Sequence, residues 1–240
     1  CGIIKDGCPV VMLRDNLPAA ASVIKDFAAR HGSRLIVPEI PDDITDKGLL
    51  GSEFYYRGMN IKVPLVGHHQ VGNAATAIEA VLAAFPDVSL SAIESGIANV
   101  RFPARCEVIS REPLMLLDGS HNPNGTAALD GLLNSCGINN AVCIAGFMAD
   151  KDVKDAFLNV ASHFKKAITV TVKSNSRSMT AIELAHVCKN CGCDAMPAEG
   201  YDKAIEIALS YGAPLIVFGS LYLAGDIRPL LLSRFSTKDY

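Results

Sequence analysis

Short apolar blocks alternate with longer amphipathic stretches through the second half of the chain, and this alternation predicts the order of its elements. The apolar blocks predict strands at 106–110, 114–117, 141–145, 167–172 and 215–218. The amphipathic stretches predict helices at 125–135, 153–164, 180–188, 201–210 and 221–232. Strands that alternate with helices of this length favour an α/β fold with a mostly parallel, Rossmann-like doubly wound sheet covered on both faces.

The first hundred residues show a less regular pattern. It predicts strands at 9–13 and 34–38, helices at 17–29, 67–85 and 89–100, a loop at 41–51 and a hairpin within 53–65. The proline-containing step at 101–104 is the best candidate for a boundary. We therefore predict two domains, residues 1–100 and residues 101–240.

Composition excludes several classes of function. The 240 residues carry a net charge of −3 and have a pI near 6.1, so no basic field is available to hold nucleic acid. The apolar runs are shorter than the roughly 18 residues that span a bilayer. The N-terminus has no charged region followed by an apolar one, as a secretory signal would have. We expect a cytoplasmic protein that binds neither nucleic acid nor membrane.

The sequence lacks the motifs of several familiar sites. The cysteines at 188, 191 and 193 begin as C-x-x-C, but no second ligand pair follows at zinc-finger spacing. We therefore interpret them as free thiols of a reducing compartment and predict no metal site. No G-x-G-x-x-G follows a predicted strand, and no G-x-x-x-x-G-K-[ST] is present, so neither a dinucleotide fingerprint nor a P-loop supports cofactor binding.

The segment LLDGSHNP at 116–123 is the strongest candidate site, because polar residues cluster where a predicted strand turns into a predicted helix. Open α/β sheets bind ligands at such carboxyl ends. Asp118 could accept hydrogen bonds from a ribose hydroxyl, and His121 could contact an anion or orient a substrate carboxylate. An Asx-type turn that caps the helix explains the same residues.

Three further residues have both a functional and a structural interpretation. Arg105 could capture phosphate or carboxylate, or could form a surface salt bridge to Glu107 or another acid. Asn73, with the neighbouring His68-His69-Gln70 string, could bind a purine edge or could cap its helix. Ser220 opens the last helix, where free backbone N–H groups make an anion site, and a plain N-cap explains it equally well.

Taken in order, these strings resemble the folylpolyglutamate synthase/dihydrofolate synthase family of the Mur ligase superfamily. Two departures are mild: Ala104 stands where the family usually has Gly, and Phe102 where Trp is common. The matching strings are CGIIK (1–5), GHHQVGNA (67–74), FPARCE (102–107), LDGSHNP (117–123), DKD (150–152) and GSLYLAGDIR (219–228).

The resemblance implies a reaction and roles for the candidate residues. In the family, ATP phosphorylates a folate or dihydropteroate carboxylate, and the amine of L-glutamate attacks the acyl phosphate. Asn73, Arg105 and Asp118 match residues that contact the nucleotide, while His121 and Ser220 match residues that position glutamate. The implied small molecules are ATP, Mg²⁺, L-glutamate and the folate or dihydropteroate substrate, and the implied full-length protein is a monomer.

The resemblance also implies that this chain is a fragment. The P-loop, the magnesium ligands and most of the folate pocket of the family precede the position of Cys1. Residues 1–100 then correspond to the remainder of a central ATPase domain, and residues 101–240 to the C-terminal ligase domain. We expect the chain to fold but to turn over no substrate. The alternatives are another Mur-type amino-acid ligase, or a non-catalytic domain derived from one.

Overall fold

The computed structural model describes residues 2–235 and divides the chain into two compact units, Cys1–Arg101 (unit 1) and Phe102–Tyr240 (unit 2). Cys1, the first residue of the CGIIK string, lies outside the described residues. No helix in the described part is long and apolar enough to cross a bilayer.

Unit 1 contains two small sheets. Strands β1 (Val10–Val11) and β2 (Leu35–Ile36) are parallel and are joined through α1 (Pro18–Arg30). Pro18 is tolerated in the first turn of α1, where its missing N–H would have no intrahelical partner. The other elements are β3 (Asp42–Asp46), a 3₁₀ turn (Gly48–Leu50), β4 (Ser52–Tyr56), β5 (Met59–Val63), α2 (His69–Ala84) and α3 (Leu90–Ala98).

The predicted hairpin within 53–65 is confirmed. β4 and β5 pair antiparallel, with Tyr56 opposite Met59, so Arg57 and Gly58 form a two-residue turn. Both turn residues have positive φ, 52° and 81°, as a turn that matches strand twist requires. The inward-facing side chains of both strands are buried with residues of α2 and α3, which forms the core of this unit.

The predicted loop at 41–51 is wrong in its first half. Asp42–Asp46 forms β3, which pairs antiparallel with β4 across a bulge, and all five of its residues are exposed. Its polar residues carry no apolar alternation that a sequence pattern could detect. Backbone hydrogen bonding to the free edge of β4 therefore creates the strand, and its three aspartates cover that edge with charge.

Unit 2 is built on six strands in the spatial order β10-β9-β8-β11-β7-β6. All neighbouring pairs are parallel except β6 with β7, so the prediction of a mostly parallel α/β sheet is confirmed. The strands are β6 (Glu107–Arg111), β7 (Leu114–Leu117), β8 (Ala141–Ala145), β9 (Phe164–Thr169), β10 (Ala195–Pro197) and β11 (Leu215–Phe218). The helices are α4 (Pro123–Ser135), α5 (Val153–Val160), α6 (Ala181–Asn190), α7 (Tyr201–Ser210) and α8 (Leu221–Phe235).

The central strands are covered on both faces. Every residue of β8 and of β11 is buried, although successive side chains along a strand point to opposite faces. Both faces must therefore be packed against helices, as a parallel sheet requires. The near-continuous apolar sequence of these strands reflects this double burial.

The largest differences from the prediction in unit 2 concern β9, α5 and β10. The strand predicted at 167–172 lies three residues earlier, at Phe164–Thr169, and α5 ends at Val160 rather than at 164. Pairing with β8, which places Val142 opposite Lys166, draws the two polar lysines that follow Phe164 into the strand. The short strand β10 was not predicted, because three residues at a sheet edge carry too little pattern.

Candidate functional site

The predicted polar motifs of unit 2 meet at one edge of the sheet. β7, β11 and β8 are neighbours and run parallel, so the loops that follow them start side by side. The backbone N–H of Asp118 donates to the Val217 carbonyl (2.8 Å), and that of Gly219 donates to the Ser120 carbonyl (3.0 Å). The chain runs outward from β8 to β10 and returns to β11, which is the topological reversal where such sheets bind ligands.

Gly219 permits the close approach of these loops. Its φ is +119°, and a Cβ at this position would lie 2.7 Å from both the Gly146 carbonyl oxygen and the Phe147 ring. A side chain would therefore collide with backbone that cannot move aside. The loops after β8 and β11 pack this tightly only because residue 219 is glycine.

Asp118 is buried and ties two backbone segments together. Its Oδ2 accepts from the Cys106 N–H (2.8 Å) and the Cys106 thiol (3.2 Å), while Oδ1 accepts from the Ser120 N–H (2.8 Å). The last contact is the Asx-type turn considered above. Asp118 does not cap α4, because Asn122 does so through its Oδ1, which accepts from the Gly125 N–H.

The Cys106 thiol is held in its protonated form beside this carboxylate. Burial raises its pKa well above the ordinary value, and the negative charge of Asp118 raises it further. A protonated thiol can donate to Oδ2, whereas a thiolate would repel it. Cys106 therefore acts as a hydrogen-bond donor at this site and not as a nucleophile.

His121 is half-buried and precedes the N-cap of α4. Its Nδ1 lies 2.9 Å from the Gly119 carbonyl oxygen, and a carbonyl can only accept, so Nδ1 carries hydrogen. In the neutral ring Nε2 then has the lone pair. The imidazole can accordingly accept a proton or a hydrogen bond at Nε2 from a ligand at the sheet edge.

Arg105 does not form the salt bridge to Glu107 that was one interpretation of the sequence. Glu107 pairs instead with Arg228, and no described carboxylate lies within ion-pair distance of Arg105. The exposed guanidinium lies over the Phe102 ring, with 4.5 Å between its central carbon and the ring centroid. Such stacking orients a guanidinium while leaving its N–H edge available.

Two serines at this edge differ in their hydrogen bonding. Ser220 is buried and caps α8, because its Oγ accepts from the Leu223 N–H (3.0 Å), so the N-cap interpretation holds. Its own O–H remains able to donate. The Ser120 Oγ is buried without a hydrogen-bond partner among the described residues. Ser120 received no role from the sequence, since only the fold shows that its hydroxyl is unsatisfied.

Asn73 belongs to unit 1 and lies on the second turn of α2. Its Nδ2 donates to the Gln70 Oε1 (3.0 Å), and Gln70 Nε2 lies 3.0 Å from His69 Nε2. The side chain does not cap the helix, so the structural alternative from the sequence is wrong. The meeting of Asn73 with the residues of unit 2 at a nucleotide stays a prediction.

The cysteines at 188, 191 and 193 lie at the C-terminal end of α6. The Cys193 N–H bonds to the Cys188 carbonyl (3.1 Å) and the Gly192 N–H to the Lys189 carbonyl (2.9 Å), the two bonds of a Schellman motif. All three are free thiols. Within residues 2–235, no three His, Cys, Asp or Glu side chains are grouped so as to hold a metal ion.

Comparison with known protein families identifies the domain that carries this edge. Residues 104–221 match the family model described as "Mur ligase, glutamate ligase domain". The matched segment includes Arg105, Asp118, His121 and Ser220, which are the four candidate residues of unit 2.

Curated relatives match over nearly the whole chain. Folylpolyglutamate synthase of Lacticaseibacillus casei is 31% identical over 246 residues, which cover 96% of this chain and 56% of the relative. Dihydrofolate synthase/folylpolyglutamate synthase of Escherichia coli is 30% identical over 238 residues, which cover 98% of this chain and 54% of the relative. The chain therefore spans about half the length of the curated relatives it matches.

A solved structure shows the same fold. Mycobacterium tuberculosis folylpolyglutamate synthase, complexed with ADP, superposes with a TM-score of 0.81 at 24% sequence identity. The superposed region covers 92% of this chain and 54% of the chain of the solved structure. The order of strands in the sheet, the match to the glutamate ligase domain and the identity to the two curated relatives all agree with the series of motifs found along the sequence. The chain belongs to the folylpolyglutamate synthase/dihydrofolate synthase family of Mur ligases.

Proposed function

We propose that the complete protein ligates L-glutamate to a folate or dihydropteroate carboxylate and uses ATP through an acyl phosphate. The observation that carries this proposal is the extent of the match to folylpolyglutamate synthase, which covers 96% of the chain rather than the glutamate ligase domain alone. In the proposed reaction the γ-phosphoryl group moves to the carboxylate and ADP leaves. The glutamate amine then attacks the carbonyl carbon and forms the C–N bond. The C–O bond to the phosphate breaks, and phosphate leaves with the bonding electron pair.

Arg105 and Asp118 are proposed to hold the nucleotide. The exposed guanidinium of Arg105 has no described acidic partner and can donate to phosphate oxygens in charge-assisted hydrogen bonds. A carboxylate has about four acceptor sites, and Asp118 uses three. One site on Oδ1 therefore remains for a ribose hydroxyl. Asn73 is proposed to contact the purine.

His121 and Ser220 are proposed to position glutamate. The Nε2 lone pair of His121 can take a proton from the glutamate ammonium group, which must lose one before it attacks. The Ser220 hydroxyl can donate to a glutamate carboxylate while its oxygen caps α8. Holding the amine near the acyl phosphate supplies much of the acceleration through proximity.

Mg²⁺ is proposed to accompany ATP and to neutralise charge on its phosphates. The described residues contain no ligand set for it, so we propose that its ligands and a P-loop lie in other parts of the complete protein. Residues 1–100 are then proposed as the remainder of the central ATPase domain. The 240-residue chain alone is proposed to be inactive.

An assay of ADP release tests the proposal. The complete protein should release ADP only when ATP, L-glutamate and a folate or dihydropteroate are all present, and the 240-residue chain should release none. Arg105→Ala and Asp118→Ala should each weaken ATP binding at least about tenfold. The first removes proposed hydrogen bonds to the phosphates, and the second removes the proposed hydrogen bond from the ribose. Arg234→Ala, in an exposed ion pair on α8, is the matched control.

Two outcomes would contradict the proposal. ADP release with a UDP-muramyl peptide in place of folate would make the protein a different Mur-type ligase. Unchanged ATP affinity in both the Arg105 and Asp118 variants would remove these residues from the nucleotide site.

A further inference from the structure

Arg105 sits in a turn with unusual backbone geometry. The residues on either side of it, Ala104 and Cys106, have positive φ angles of 59° and 46°. Residues with a Cβ rarely adopt this region, and such geometry persists only where the surrounding structure imposes it. The turn therefore needs specific contacts to hold it.

Two carboxylates supply these contacts, one for each unusual residue. Glu107 Oε2 accepts from the Ala104 N–H (3.0 Å), and Asp118 Oδ2 accepts from the Cys106 N–H (2.8 Å). The backbone is thus fixed immediately before and immediately after Arg105. The Gly119 N–H also donates to the Ala104 carbonyl (2.7 Å), so loss of either carboxylate bond would loosen the turn without releasing it entirely.

Glu107 is itself held by a residue from the last helix. Arg228 on α8 donates hydrogen bonds to both carboxylate oxygens of Glu107. Its Nε lies 3.1 Å from Oε1 and 2.9 Å from Oε2, and its Nη2 lies 2.7 Å from Oε1. A planar guanidinium that binds a carboxylate in this way fixes its orientation. The Arg228 and Glu107 side chains are both partly buried, so the pair is sheltered from solvent.

The sequence strings FPARCE and GSLYLAGDIR are therefore physically connected. The first string contains Arg105 and Glu107, and the second ends in Arg228. The ion pair between Glu107 and Arg228 connects the two strings. The paired residues are 121 positions apart in the sequence, so the sequence alone does not reveal this contact.

We propose that Arg228 is a positioning residue that acts through Glu107 and the Ala104–Cys106 backbone to fix the direction of the Arg105 guanidinium. Arg228 does not itself need to touch a ligand for this role. The proposal rests on the proposed function only for the identity of the ligand, a nucleotide phosphate. The positioning itself can be tested without ligand.

The first experiment measures the order of Arg105 in the 240-residue chain. The {¹H}–¹⁵N NOE of its side-chain Nε–H and the backbone amide shifts of Ala104 and Cys106 are recorded with and without Arg228→Met. We expect the NOE to fall and both amides to shift. Arg234→Met is the matched control, because Arg234 lies on the same helix and pairs with Asp202 away from the turn.

An unchanged Arg105 NOE in Arg228→Met would overturn the proposal, as would an equal fall in Arg234→Met. If Arg228→Met fails to fold, Arg228→Lys decides instead. Lysine keeps the charge but cannot make the two-pronged contact. The same loss of Arg105 order is then expected, and full order with lysine would overturn the proposal.

The second experiment links positioning to ligand binding in the complete protein. Arg228→Met should weaken ADP binding about tenfold, and should have no further effect once Arg105 is alanine. If the losses of ADP affinity in Arg228→Met and Arg105→Ala add up in the double variant, Arg228 does not act through Arg105 and the proposal is contradicted. If Arg105→Ala leaves ADP affinity unchanged, the nucleotide role fails, while the NOE measurement still decides whether Arg228 positions Arg105.

Discussion

The two units of this chain differ in how completely they bury their apolar residues. In unit 2, the central strands β8 and β11 are buried at every position. In unit 1, the parallel pair β1 and β2 has two residues in each strand, all only half-buried, and large apolar side chains such as Leu17 and Ile40 are 74% and 68% exposed. Parallel strands are normally covered on both faces. Unit 2 therefore buries its central strands completely, whereas the buried cluster described for unit 1 lies around its hairpin and the helices α2 and α3.

The largest expected effect tests this difference directly. Phe218 is fully buried and packs against the rings of Phe147, Phe157 and Phe164. Phe218→Ala should lower the free energy of unfolding of unit 2 by about 3–5 kcal/mol, because it leaves a cavity. Phe85→Ala in unit 1 is the matched control, with a side chain that is 64% exposed, and should change stability by less than about 0.5 kcal/mol. Urea unfolding followed by circular dichroism measures both, and similar losses would contradict the comparison.

Each unit also contains one tyrosine that should make it sensitive to alkali. Burial and a carboxylate partner raise the pKa of Tyr56 (beside Glu79) and of Tyr201 (beside Asp226) from 10.0 to about 12. A raised folded-state pKa means that the stabilisation is complete below pH 10 and is lost as pH rises from about 10 to 12. The loss should be about 2 kcal/mol for each tyrosine.

Phenylalanine variants separate the two contributions. Tyr56→Phe should flatten the pH dependence of unit 1 above pH 10. Tyr201→Phe should reduce that of unit 2 without abolishing it, because burial also raises the pKa of thiols in unit 2 such as Cys106 and Cys143. The measurement is urea unfolding at a series of pH values between 9 and 12. A dependence of unit 1 that Tyr56→Phe leaves unchanged, or a dependence of unit 2 that Tyr201→Phe does not reduce, would show that the tyrosine does not contribute to the alkaline transition of that unit.

Each unit has one buried serine hydroxyl without a hydrogen-bond partner among the described residues, Ser52 and Ser120. Because an unsatisfied buried hydroxyl is costly, alanine at either position should keep or raise stability, by up to about 1 kcal/mol. Ser220→Ala is the contrast, since loss of the α8 cap should cost about 1 kcal/mol. Thermal melts compare the three, and a loss of stability in Ser120→Ala would mean that its hydroxyl has a bonding role.

The smallest effect concerns positive φ angles in the two units. Ala104→Gly should stabilise unit 2 by about 0.5 kcal/mol, because glycine adopts a φ of 59° without strain. Asp43→Gly in unit 1, with a φ of 51°, should gain less, since aspartate tolerates this region better. Ala127→Gly on the exposed face of α4 is the control and should cost about 1 kcal/mol. A destabilised Ala104→Gly would mean that packing of the Ala104 methyl outweighs the backbone strain.

The sequence predicted the regular part of the fold well. The apolar blocks that became β7, β8 and β11 were located to the residue, because double burial makes their composition continuous and distinct. β3 was missed and β9 was shifted, because pairing with a neighbouring strand, and not their own residues, sets their extent. The family was identified from motif order, which the relatives then supported.

By itself, the sequence determined the α/β alternation, the family and the identity of the polar residues at the strand ends, because each of these depends on local pattern. Only the tertiary structure decided what these residues touch. It paired Glu107 with Arg228 rather than with Arg105, used Asp118 to fix the turn before β6, and left the Ser120 hydroxyl unpartnered within the described residues. Hydrogen bonds join groups that are near in space, and the distance between residues 107 and 228 closes only when the sheet and its last helix are formed.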